Sequence, residues 1–208
     1  MYDMYTAGSL AFTDNTRPVA HGGLFSRALL YAKNFNALII SFPYDKTIAP
    51  KGLINEGVVS TKLGLEGIPS LSEELMISRD MMINKYHDGR LHFNILSSKN
   101  SVDQIKIAKK TQNNLSCGTS IYHLLFDEGI IDQFENKFKI LPPLRTKADR
   151  NALIEGVKSG VIDVITSYHQ PNEKEITEVE FNLSPFGTIG TQICFPLALT
   201  YLKDFLGI

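Results

Sequence analysis

Val161-Ile162-Asp163-Val164-Ile165-Thr166 is a short, β-branched apolar run, and the Ser167-Tyr168-His169-Gln170-Pro171-Asn172 that follows it is polar and aromatic. Such a run, closed by a turn-rich segment, reads as a buried strand. Just upstream, Ala148–Ser159 carries a helical pattern that Gly160 stops. A helix feeding a buried strand, with chemistry-capable side chains at the strand's far end, is one unit of a parallel α/β fold.

The same alternation runs back through the chain. Leu10–Thr13 is a short strand candidate, followed by a helix over Gly22–Phe35 and an apolar strand over Ala37–Phe42. Ser70–Tyr86 is amphipathic, with Leu71, Leu75, Ile77, Met81 and Met82 tending to one face. Ser70 and Glu73 have the spacing of a capping box at its start. Leu91–Leu96 is the next strand, and Ser101–Thr111 a helix with Ser101 as N-cap candidate. Leu115–Ile121 is a further strand, and Thr191–Leu206 closes the chain as an apolar helix. About five strands alternating with helices imply parallel βα units. A doubly wound sheet and a (β/α)8 barrel both fit that alternation, although a complete barrel needs about 250 residues.

The 208 residues are 43% hydrophobic, enough to bury one core in a single domain. The net charge of −1 and the mixing of both signs along the chain give no basic stripe for a nucleic acid. No apolar run reaches the length of a membrane-spanning helix, so no membrane partner is expected. Cys117 and Cys194 are the only cysteines and read as reduced residues of a cytoplasmic protein.

Parallel βα folds place function at the C-terminal ends of their strands. The candidates there are Asp14, His92, His123 and His169. Asp14 reads as a metal ligand or as the carboxylate of an Asx-turn. His92 sits in an apolar strand and reads as a satisfied core histidine. His123 is a ligand, a base or a packing residue. His169 is the best candidate for acid–base work, but no carboxylate adjoins it in sequence. No two ligand-type residues share an H-x-H or H-x-x-x-H spacing, and no Walker A, G-x-S-x-G or G-x-G-x-x-G motif is present. Gly187-Thr188-Ile189-Gly190 reads as a tight turn into the last helix.

Longer motifs join these residues. Ala7-Gly8-Ser9-Leu10-Ala11-Phe12-Thr13-Asp14 is similar to A-G-x-x-x-F-[ST]-D. Gly64–Pro69 with Glu73, Ile77, Arg79 and Asp80 is similar to G-L-x-G-x-P-x-x-x-E-x-x-x-I-x-R-D. His92–Ser98 follows H-x-x-H-x-S-T in outline. Leu141–Arg145 with Asp149 and Arg150 is similar to N-P-P-L-R followed by D-R. Ser184–Gly187 with Gly190 is similar to a P-F-G-x-x-G loop, and Ser167–Asn172 to T-D-H-A-P-H. In this order, these motifs resemble the dihydroorotases of the amidohydrolase superfamily.

That resemblance implies a partial (β/α)8 barrel of about five parallel βα units, roughly barrel strands four to eight, over residues 1–208. It implies that the first barrel strands and a flanking small β domain are lacking, and that open edges are covered by a second copy or by missing segments. It also implies a degenerate site. The family's metal-ligand positions hold Ile95 and Tyr168. Its substrate or ligand positions hold Phe42, Tyr122, Leu141 and Asn172. Arg145 remains, as a carboxylate clamp or as a loop anchor. His123 remains as a weak substrate-binding candidate, and His169 and Asp14 as catalytic candidates. The implied function is a non-catalytic homologue with a structural or regulatory role in pyrimidine biosynthesis. The expected partners are another copy or aspartate carbamoyltransferase, and no cofactor is expected. Two alternatives stand beside it: a zinc-dependent cyclic-amide hydrolase using Asp14, His123 and His169, and a small-molecule binding module near Arg145 and His169.

Overall fold

The protein is described by a computed structural model covering residues 1–15 and 17–203. Among these residues a parallel sheet of five strands forms: β1 (Ala11–Thr13), β2 (Leu38–Ser41), β5 (Arg90–Phe93), β6 (Leu115–Ser120) and β7 (Val164–Thr166), adjacent in that order. A second, two-stranded parallel sheet is made by β3 (Ile54–Asn55) and β4 (Gly67–Ile68). In the larger sheet each strand pairs with the next one along the chain, as in β1–β2 (Ala11 with Leu38) and β6–β7 (Gly118 with Val164). Strand order therefore never reverses, which suits a stretch of barrel wall and not a doubly wound sheet with a switch point.

Helices α1 (Tyr2–Thr6), α2 (Gly22–Lys33), α3 (Val58–Leu63), α4 (Leu71–His87), α5 (Lys99–Ala108), α6 (Ile121–Leu125), α7 (Lys147–Lys158), α8 (Lys174–Thr177) and α9 (Thr191–Tyr201) complete the chain. The expected last helix extends past residue 203, and that part lies outside the described residues. The core between sheet and helices is built from Phe25, Leu29, Ile77, Leu91, Phe93, Ile105, Cys117 and Leu153, among others.

Local chemistry departs from the sequence expectations in three places. Ser70 makes no side-chain cap on α4 and sits in the helical region itself (φ −59°, ψ −24°), and the Glu73 carboxylate that would complete the box is turned inward onto Ser97 and Ser98. The cap of α5 is Ser98, which accepts from the Ser101 N–H, so the helix starts earlier than the Ser101 reading placed it. The inner face of α4 is only partly the expected one: Ile77 is buried and Met81 half-buried, but Ser72, Glu73, Met76, Asp80 and Asn84 share that face, while Leu71, Leu75 and Met82 face outward. Both termini of α7 follow the sequence more closely. Thr146 and Asp149 form a reciprocal capping box, and Gly160 follows in the left-handed region at φ +71°.

Candidate functional site

The C-terminal ends of β1, β2, β5, β6 and β7 all carry polar or aromatic side chains, and the structure ties nearly every one to backbone. Asp14, just after β1, accepts from the Phe42 N–H (2.8 Å) and the Val19 N–H (3.1 Å). Burial raises its pKa, and those same hydrogen bonds oppose the rise. Arg79 grips the same loop, donating to the Val19 and Ala20 carbonyls and to Asp80, whose other oxygen accepts from the Ser41 hydroxyl. Asp80 is fully buried, and desolvation pushes it up to about 6 in spite of Arg79. The first two motifs of the sequence thus meet in one network that fixes the loop after β1.

A second network joins the Gly64–Asp80 motif to two further motifs. Glu73 accepts from the Ser97 N–H (3.0 Å), the Ser98 N–H (3.2 Å) and the Ser97 hydroxyl. Arg145 donates through Nε to Ser97 Oγ (3.1 Å), and through Nη1 to Asn55 Oδ1 (2.9 Å) and the Ile68 carbonyl. Glu73, Ser97 and Arg145 are all buried. The guanidinium is therefore a loop anchor with its donors turned to protein. The clamp reading needs donors open to a ligand, and burial removes that access.

His123 is equally enclosed. Its Nδ1 meets Ser120 Oγ at 2.7 Å and its Nε2 meets the Pro142 carbonyl at 3.0 Å. A carbonyl only accepts, so Nε2 carries the proton and Nδ1 accepts from the serine hydroxyl. Burial pushes the ring's pKa down to about 4, which keeps it neutral. Both nitrogens are engaged, and the ring packs the strand end. His92 is likewise buried and bonded to Ser116 Oγ (2.8 Å), the satisfied core histidine of the sequence reading.

At β7 the segment 167–172 is stitched to 186–191. Tyr168 stands at φ +51°, a left-handed conformation that a bulky side chain seldom adopts. Its buried phenol holds it there. The hydroxyl donates to the Leu141 carbonyl (2.8 Å) and accepts from the Leu141 N–H (2.8 Å). Desolvation raises the phenol's pKa further from the neutral range. His169 is exposed, and its Nδ1 accepts from the Gly190 and Thr191 N–H groups at the start of α9. Asn172 donates to the Phe186 carbonyl (3.2 Å), and Tyr122 donates to the Ile189 carbonyl (2.5 Å). The approach is so close that a Cβ on Gly190 would overlap the Ser167 carbonyl, and one on Gly187 would sit 2.5 Å from the Gln170 carbonyl oxygen. These glycines serve contact between two loops and the turn into α9.

Sequence reasoning did not find Lys139. Its ammonium is buried and donates to the carbonyls of Phe181, Asn182 and Ser184, between the rings of Phe181 and Phe186. Its place in the run Lys137-Phe138-Lys139-Ile140 offers no signal that the second lysine turns inward.

A cavity of about 670 Å³ opens beside this stitched region, lined by Tyr122, Phe126, Phe138, Asn172, Ile189 and Leu197, among others. Its walls are mostly apolar. Asp14, His123, Arg145 and His169 do not line it, so the structure does not gather the sequence candidates into one pocket. Ile95 and Phe42 are buried apolar residues. Among the described residues no three His, Cys, Asp or Glu side chains come together to hold a metal ion. A zinc site of the amidohydrolase kind needs such a set, and the residues present do not fit one.

The comparisons with known proteins agree with the fold and with the family resemblance. A family model described as Dihydro-orotase-like matches residues 2–101. A dihydroorotase of Acetivibrio thermocellus is 39% identical over 196 residues, covering 94% of this chain and 46% of the relative. One of Caldicellulosiruptor saccharolyticus is 40% identical over 201 residues, covering 97% and 47%. Among solved structures, a D-hydantoinase (dihydropyrimidinase) from Thermus sp. superposes with a TM-score of 0.80 at 19% identity, over 98% of this chain and 47% of that one. The dihydroorotase of Saccharomyces cerevisiae in complex with 5-fluoroorotic acid gives 0.69 at 12% identity, over 88% and 48%. At those identities the structural likeness concerns the fold alone. The chain is dihydroorotase-like over nearly its whole length, and it spans about half the length of the curated relatives it matches.

Proposed function

We propose that this chain is a non-catalytic dihydroorotase homologue with a structural or regulatory role in pyrimidine biosynthesis, and that aspartate carbamoyltransferase is its protein partner. The observation that carries the reading is the closure of Tyr168 on Leu141. By the resemblance, Tyr168 stands where the metal-binding, proton-transferring Asp belongs, and Leu141 where an Asn contacts substrate. Here the phenol occupies both backbone groups of Leu141, so the two positions satisfy each other. A buried phenol with a raised pKa is a poor base and a poor ligand near neutrality.

The rest of the site supports this. Asp14 and His123 are used for packing and loop fixation, and His169 caps a helix. What the sequence keeps of the family motifs builds the two buried networks around Asp80 and Arg145. Those networks hold loops in place, which suits a protein that presents a surface. The test is co-purification: the tagged chain, expressed in its source cell, is expected to retain aspartate carbamoyltransferase. Recovery of the chain without that transferase would remove the partner from the proposal.

A second reading, a small-molecule binding module, draws on the cavity beside Tyr122 and Asn172. Its mostly apolar walls, whose lysine, Lys137, is paired with Glu135, do not suit a dicarboxylate. We therefore expect no thermal shift with carbamoyl aspartate or dihydroorotate, and a concentration-dependent rise in Tm would favour the module.

A further inference from the structure

We infer that the outer face of α4 docks a second copy of this chain, the two α4 helices lying antiparallel across a two-fold axis. Leu71, Leu75, Met82 and Tyr86 are exposed at 47%, 49%, 72% and 85%. At about 100° per residue they fall within about 60° of arc, as one stripe running about 22 Å along the helix. The opposite face carries Glu73, Ile77 and Asp80 and is buried in the chain's own core. That inner face is anchored: Glu73 accepts from the Ser97 and Ser98 N–H groups, and Asp80 from the Ser41 hydroxyl. Arg79 donates to the Val19 and Ala20 carbonyls. The helix therefore cannot roll to bury the stripe without breaking these bonds. Single exposed apolar side chains are ordinary on a surface, but four aligned along one helix face form a patch that a partner can cover.

The order of residues along the stripe selects the occupant. Turned end for end, the stripe complements itself, as an interface between identical copies requires. Leu71 comes opposite the second copy's Tyr86 and Leu75 opposite its Met82, because both pairs are centred between Ser78 and Arg79. Each leucine thus meets a larger and more exposed side chain. The small, half-buried Ser78 lies close to the axis, where the helices cross. Such a two-fold also brings the same flank of each helix together. On that flank stand Glu74 near one end of the stripe and Lys85 near the other. Neither takes part in an ion pair among the described residues. The antiparallel arrangement sets each Glu74 near the second copy's Lys85, so the charges complement each other twice. A parallel pair would instead turn Lys85 towards the flank of Arg79 and Ile83, which offers it no carboxylate.

The experiment is sedimentation of the 208-residue chain over a micromolar concentration series, and a dimer is expected. Leu75→Glu and Met82→Glu alter exposed side chains, so circular dichroism should show them folded. Each is expected to raise the dimer's dissociation constant at least about tenfold. Ile107→Glu on α5 changes an apolar residue that is 66% exposed but outside the stripe, and it should leave the dimer unchanged. Glu74→Lys and Lys85→Glu should each raise the constant about threefold or more, and the two together should restore it. A monomer throughout the series would overturn the inference, and so would a dimer that both stripe variants leave intact. Failure of the double charge reversal to restore the dimer would overturn the antiparallel register. A monomeric chain that loses aspartate carbamoyltransferase on Leu75→Glu in the co-purification assay would assign the face to that transferase instead. A stripe-dependent dimer that retains no transferase supports this surface and removes only the partner proposed above, so the two readings fail separately.

Discussion

Replacing Tyr168 with Phe removes one oxygen and tests whether the phenol holds the strand end. That oxygen donates to one backbone group of Leu141 and accepts from the other. Each hydrogen bond contributes about 0.5–1.5 kcal/mol net, and each buried group left without a partner adds about 1–3 kcal/mol. Leu141 is half-buried, so water reaches part of the exposed pair and the lower end of that penalty applies. The positive φ of Tyr168 also loses part of what sustains it. The expected loss is about 2–4 kcal/mol. For a chain of this size that lowers Tm by roughly 5–12 °C. Urea unfolding followed by circular dichroism should show a lower midpoint with an unchanged slope. Tyr122→Phe serves as a comparison. Its phenol donates to the Ile189 carbonyl alone among backbone groups, so the expected loss is about half as large. A Tyr168→Phe variant within about 0.5 kcal/mol of the parent would refute the reasoning, because the phenol would then not be closing the site.

Other expectations follow from the buried groups. Arg145→Ala strips the guanidinium from Ser97, Asn55 and Ile68 and leaves Glu73 buried beside no cation, so a loss of about 3–5 kcal/mol is expected by urea unfolding. Arg145→Lys keeps the charge but not the fork and should recover only part of it. His123, held down to about 4, binds no proton in the folded chain where an unfolded histidine does. Its contribution, about 3 kcal/mol, is fully present above about pH 6.5 and is lost as the pH falls towards 4. Asp80, pushed up to about 6, works the other way: its contribution is present below about pH 4 and is lost as the pH rises through about 6. The two slopes oppose each other between about pH 4 and 6. His123→Gln should therefore make stability fall with rising pH there, and Asp80→Asn should make it rise; identical profiles for both variants would contradict the assignments. Gly190→Ala places a methyl group on the Ser167 carbonyl, and a loss of at least about 2 kcal/mol is expected from thermal unfolding.

The order of elements was legible because parallel βα units announce themselves as short apolar runs between helical patterns. The strands at Ala11–Thr13, Leu38–Ser41 and Val164–Thr166 fall inside the expected runs. The inner face of α4 was only partly legible. Periodicity sends Leu71, Leu75 and Met82 inward, yet Glu73, Asp80 and Asn84 take the inner face, where Glu73 and Asp80 meet partners from loops far away in sequence. The capping box failed because Ser70 is itself helical, and because two backbone N–H groups at Ser97 and Ser98 hold Glu73. At the site, the resemblance implies that Tyr168 stands where the family motif has an Asp. It does not show that the phenol closes on Leu141, which lies 27 residues away. Nor does it show that the exposed His169 is spent on the first turn of α9.

The most direct test of the non-catalytic account is dihydroorotate ring opening by the 208-residue chain with zinc supplied. The account predicts no turnover above background. Zinc-dependent turnover that disappears in His169→Ala would contradict it and would mean that the site has been rebuilt around that histidine.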